Sequence, residues 1–139
     1  LPNTCNYSQT FRAPTITIDK MIDKFGAPDL IKIDVEGYEL NVLQGLNKKV
    51  DLICFEWHEE MLSEAEKCLS HLKNLGFSQF GAIGFFDNRE QITKMTFNKD
   101  GDGYLVEPSQ YYDYEEIIDE LRATSDFNRR VNYGMMWCK

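Results

Sequence analysis

The chain has 139 residues, 42% of them hydrophobic and 13% aromatic, which is enough for one compact domain with a real core and argues against disorder. Its formal net charge of −8 would repel a phosphate backbone, and the one basic pair, Arg129-Arg130, is too small to reverse that, so nucleic acid is excluded as the expected partner. No apolar run approaches the roughly 18 residues of a membrane span, and no signal peptide opens the chain.

Residues 1–14 are polar with two prolines and read as an irregular lead-in. "TITID" (15–19) alternates β-branched residues, as a short strand does. "IDKMIDKFG" follows with Ile18, Met21, Ile22 and Phe25 at helical spacing, and stops at Gly26 before Pro28. "DLIKIDV" (29–35) is the next strand. "EGYELNVLQGL" (36–46) gives a short helix whose acidic start suits the positive end of the helix dipole. "DLICFEW" (51–57) is a second apolar strand. Met61, Ala65, Cys68, Leu72 and Leu75 then step by four and three along the clearest helix, which ends at Gly76. "FSQFGAIGFF" (77–86) reads as a third strand. "GYLVEP" (103–108) is a fourth after the turn "NKDGDG", and residues 111–122 form a last amphipathic helix. The tail to Lys139 carries no clear preference.

This succession is the α/β pattern, and right-handed crossovers make its sheet mostly parallel, with helices covering it. The last connection has no helix, so "GYLVEP" is expected as an antiparallel strand. Cysteines stand at 5, 54, 68 and 138 with no CxxC. Buried free thiols, and with them a reducing, cytoplasmic setting, are the expectation.

In open α/β sheets, ligands bind beyond the carboxyl ends of the strands. Two strands here end in acid. Period-two alternation puts Lys32 and Asp34 on one face of the first, with Glu36 following, and puts Glu56 and His58 on one face of the second. If the strands are neighbours, these groups converge on one crevice. Each has a quieter reading: Glu36 favours a helix start, and Lys32 neutralises Asp34 or Glu56. Such a cluster takes a proton from a nucleophile, or holds a divalent cation through Asp34, Glu36, Glu56 and His58. The residues alone do not choose. A calcium loop from Asn98 fails, because its twelfth position is Ser109 rather than glutamate; a tight Asp/Gly turn explains it better.

The order and spacing of these pieces resemble the FkbM-type methyltransferases. The resemblance runs from Ile18-Asp19 through Ile31-Lys32-Ile33-Asp34-Val35-Glu36-Gly37-Tyr38-Glu39 and Val42-Leu43-Gln44-Gly45 to Glu56-Trp57-His58, covering residues 15–58. It implies a class I, Rossmann-like sheet with an antiparallel last strand. It also implies S-adenosylmethionine-dependent methyl transfer, most often to an oxygen of a sugar, lipid or small-molecule acceptor. By the same resemblance Asp34, Val35 and Glu36 lie beside the methionine part of the cofactor, and Glu56 and His58 face the acceptor. Asp34, Glu56 and His58 are then the catalytic candidates.

The family's first strand with its glycine-rich turn, and the second strand whose acid holds the ribose, have no counterpart here. The expectation is therefore that residues 1–139 are a single partial methyltransferase domain, the C-terminal half, with little activity alone. Its "DLIKIDV" strand then presents an open edge suited to a second copy or another partner. Two other readings stay open: metal-assisted chemistry at the strand ends, and a non-catalytic α/β segment that binds through that edge.

Overall fold

The structure is a computed structural model that describes residues 12–86, 96–97, 107–126 and 131–139. Its centre is a five-stranded sheet in the order β1-β2-β5-β3-β4, formed by β1 (Ile31–Ile33), β2 (Ile53–His58), β3 (Phe80–Phe86), β4 (Thr96–Phe97) and β5 (Val131–Cys138). The helices are α1 (Ile18–Phe25), α2 (Glu39–Leu43), α3 (Leu62–Asn74), entered through a 3-10 turn at Glu59–Met61, and α4 (Tyr114–Asp126).

The α/β class is as expected, but the sheet is mixed. The β1–β2 and β3–β4 pairings are parallel, whereas β2–β5 and β3–β5 are antiparallel. The cause is the C-terminal tail, which returns between β2 and β3 and opposes both. Its sequence, "VNYGMMWC", has no polar alternation because a central strand is covered on both faces. Met135, Met136, Trp137 and Cys138 are all buried. The expected antiparallel strand at 103–108 falls largely outside the described residues; Glu107 and Pro108 are not in a strand.

The alternation in "TITID" does not make a strand. Thr17 is extended and accepts the Lys20 N–H at 3.3 Å, so it caps α1. Asp19 accepts the backbone N–H of Asn47 at 3.0 Å and its Nδ2 at 2.9 Å, tying α1 to the loop after α2.

The main core packs helices on one face of the sheet. Leu43, Leu46, Phe55, Leu69, Leu72, Phe77, Phe80, Ile117 and Leu121 are buried there. Cys54, Ile83, Met135 and Trp137 form a smaller cluster with Leu30, Leu52, Tyr111 and Tyr133. Cys54, Cys68 and Cys138 are buried and free. Burial pushes the thiols of Cys54 and Cys68 up to about 12, so they remain unreactive packing groups.

Among the described residues β1 is an edge strand of the sheet. Beside it an apolar groove is lined by Ile18, Met21, Ile22, Phe25, Pro28 and Ile31, and Phe25 is 73% exposed. No helix among the described residues is long and apolar enough to cross a membrane.

Candidate active site at the ends of strands β1 and β2

β1 and β2 are parallel neighbours in a register that pairs Lys32 with Cys54 and Ile33 with Phe55. One step further, where β1 stops, Asp34 comes level with Glu56. The apolar halves of both strands belong to the core, and their charged ends emerge together at its rim. Asp34, Glu36, Glu56 and His58 are thereby brought to one place.

Lys32 Nζ donates to Asp34 Oδ2 at 2.5 Å. This ammonium is the main reason that the Asp34 carboxyl is held below its ordinary range, with the proximity of His58 adding to it. Glu56 behaves oppositely. It is only 8% exposed, and burial first, then the charge of Asp34, push its carboxyl upward against the pull of His58. Asp34 is thus the carboxylate kept ionised, and Glu56 the one that holds a proton more readily. Two acids whose environments drive them apart are a recurring feature of acid–base sites. His58 Nε2 stands 3.2 Å from Glu56 Oε2, and its ring tilts against Tyr133 with centroids 6.1 Å apart.

The turn after β1 does not continue into a helix at residue 36. Glu36 has φ of 56° and Gly37 of 96°, both left-handed, so α2 begins only at Glu39. Glycine takes that region freely, whereas glutamate there costs roughly 1–2 kcal/mol. The compensation comes from Glu39, whose buried carboxylate accepts the N–H of Val35 at 3.1 Å and of Gly37 at 3.3 Å through one oxygen. A hydrogen bond contributes about 0.5–1.5 kcal/mol net, so two of them together offset the strain. The result is that donor atoms of Glu36, Glu56 and His58 all lie within 4.8 Å of one another.

Met61 closes the turn from the α3 side; a Cβ added at Gly37 would stand 3.1 Å from its Cε. Glu39, Glu56, Trp57, His58, Met61 and Cys68 line a small cleft behind. Val35 and Tyr38, on either side of the Glu36-Gly37 pair, are 38% and 66% exposed.

Sequence reasoning found the four polar groups and missed Glu39 and Met61. Glu39 was legible only as a favourable charge in the first helical turn. The signal for its true contact is its position two residues after a glycine that must adopt positive φ. Met61 belongs to the same apolar stripe as the core residues of α3, and periodicity cannot distinguish the end that overhangs the turn.

No curated protein and no solved structure gives a significant match to the chain. A family model does: the methyltransferase FkbM domain matches residues 4–123, well past the 15–58 that carry the motifs. The chain therefore belongs to the FkbM methyltransferase domain family, and methyl transfer is the chemistry of its class.

Proposed function

We propose that the chain supplies the methionine-side and acceptor-side groups for methyl transfer from S-adenosylmethionine to an oxygen of a sugar, lipid or other small acceptor. The carrying observation is the convergence of Asp34, Glu36, Glu56 and His58 above two adjacent parallel strands. The donor set suits such a cofactor, since anionic carboxylates favour its cationic sulfonium and ammonium groups. Asp34 and Glu36, with the exposed side chain of Val35, would hold it. The amides of Val35 and Gly37 are engaged by Glu39 and are not available for that role. When bound, the cofactor supplies an electrophilic methyl group.

The chain's own task is then to align a hydroxyl and take its proton, and alignment does much of the work in such displacements. His58, with 30% of its side chain exposed, is placed to accept the proton while its other nitrogen donates to Glu56. Glu56 orients the ring through that hydrogen bond. Asp34, held ionised by Lys32, keeps negative charge on the cofactor side. Among the described residues none is assigned to the adenosine, so the test uses the full-length gene product. Calorimetry should show binding of S-adenosylmethionine and S-adenosylhomocysteine. Asp34→Asn should weaken it about tenfold, the loss of one charge-assisted contact. His58→Ala should leave it within about threefold. Absence of binding by either compound would sink this reading.

A second reading has its own observation. Glu36, Glu56 and His58 offer oxygen and nitrogen donors close enough to share a divalent cation. Asp34, expected as a fourth ligand, is engaged by Lys32 instead. Manganese titration separates the two readings: this one requires saturable binding that His58→Ala abolishes and that a chelator reverses.

A further inference from the structure

We propose that Glu39 is the positioning residue of this site: its carboxylate latches the 35–37 turn and so keeps Glu36 facing Glu56 and His58. The proposal rests on the methyl-transfer reading for its consequence, but its geometry is independent of the ligand.

Glu39 is one of two buried charged side chains among the described residues, 7% exposed, and the other is Glu56. A charged group is rarely placed inside without a compensating partner. It opens α2, yet it does not act as that helix's cap. The capping position is Tyr38, which makes no side-chain cap bond, and the Glu39 carboxylate points back across the chain to residues 35 and 37. Both amides go to the same oxygen, Oε1, at 3.1 and 3.3 Å. They flank Glu36, the only non-glycine residue at positive φ among those described. One acceptor thus clamps both sides of the strained residue.

The consequence follows from chain direction. Released from the clamp, Glu36 relaxes to an ordinary backbone region, and its side chain leaves the 4.8 Å grouping with Glu56 and His58. Glu39 does not need to touch a ligand for this. Its oxygen is occupied by the turn, and it acts through Glu36.

Because a single oxygen accepts both N–H groups, the latch needs an acceptor at the right reach and no charge. That distinguishes it from a carboxylate that binds a cation or a cofactor directly. Glu39→Gln retains the oxygen and the length, Glu39→Asp withdraws it by one methylene, and Glu39→Ala removes it.

Amide hydrogen exchange at Val35 and Gly37 reads the latch itself. Exchange there should rise about tenfold or more in Glu39→Ala and in Glu39→Asp, and stay within about threefold of the parent in Glu39→Gln, with circular dichroism confirming the fold. Binding of S-adenosylhomocysteine to the full-length product should follow the same order. If Glu39→Ala does not fold, the aspartate and glutamine pair makes the same comparison. Unchanged exchange in Glu39→Asp and Glu39→Ala would overturn the proposal. So would a glutamine variant whose turn exchanges as fast as the alanine variant's. Failure of the parent protein to bind S-adenosylhomocysteine would count against the methyl-transfer reading alone, since exchange still decides the latch.

Discussion

Replacing Gly134 by alanine is the sharpest test of how the site is supported. Gly134 lies in β5, paired with Trp57 of β2 on one side and Gly84 of β3 on the other. An added Cβ would stand 2.3 Å from the carbonyl oxygen of Ile83, 2.6 Å from Trp57 Nε1 and 2.8 Å from its Cε2. Ordinary carbon contacts lie near 3.5–4.0 Å, so the methyl falls short by about 1 Å against three atoms at once. Trp57 is buried and Ile83 contributes backbone, so neither yields easily. Overpacking costs about 1–3 kcal/mol, and losing about two ladder hydrogen bonds where the strands part adds about 1 kcal/mol each, giving roughly 3–5 kcal/mol. For a domain of this size the melting temperature should fall by roughly 10–15 °C. Trp57 sits between Glu56 and His58, so its displacement should also disturb the site. Gly26→Ala serves as the comparison, since no atom lies within 4 Å of its added Cβ and only the backbone at φ of 91° resists. Thermal melts followed by circular dichroism and tryptophan fluorescence check both. A Gly134→Ala protein melting within about 2 °C of the parent would show that β5 does not lie between β2 and β3.

The two acids at the strand ends predict opposite pH effects on stability. Asp34 is held low, so its contribution is complete above the ordinary carboxylate value of 3.8 and disappears as pH falls through its folded value; Asp34→Asn should remove that acid-side loss. Glu56 is held high, so its relative contribution is present below 4.5 and lost as pH rises through the folded value; Glu56→Gln should gain on the parent toward neutral pH. Urea midpoints across the acid-to-neutral range check both, and parallel curves for parent and variants would contradict them. Gly37→Ala should cost about 1–2 kcal/mol through its backbone at φ of 96°, because the flexible end of Met61 can give way. Thr17→Ala should cost about 1 kcal/mol by removing the cap of α1; a loss below about 0.3 kcal/mol would argue against that cap.

What the sequence disclosed follows from how local each signal is. The amphipathic helices and the two charged strand ends rest on spacing within a few residues, and Asp34, Glu36, Glu56 and His58 were all legible as a group. The start of α2 was misplaced because Glu36 and Gly37 take left-handed backbone, which hydrophobic period does not report. "TITID" looked like a strand because alternation describes side chains, whereas the hydrogen bond from Lys20 to Thr17 decides the outcome. The central place of β5 was out of reach. "VNYGMMWC" shows no alternation, and its partners are some 80 and 50 residues away in the chain. Glu39 needed three dimensions, since its role is to reach backward across a turn.

The methyl-transfer proposal makes the end of β1 the methionine side and the end of β2 the acceptor side of one site. Mapping S-adenosylhomocysteine onto the isotope-labelled full-length protein by amide chemical shifts tests it most directly. Asp34, Val35, Glu36, Glu56 and His58 should shift together and saturate with one affinity. Binding that leaves those residues unmoved while others shift would contradict the claim.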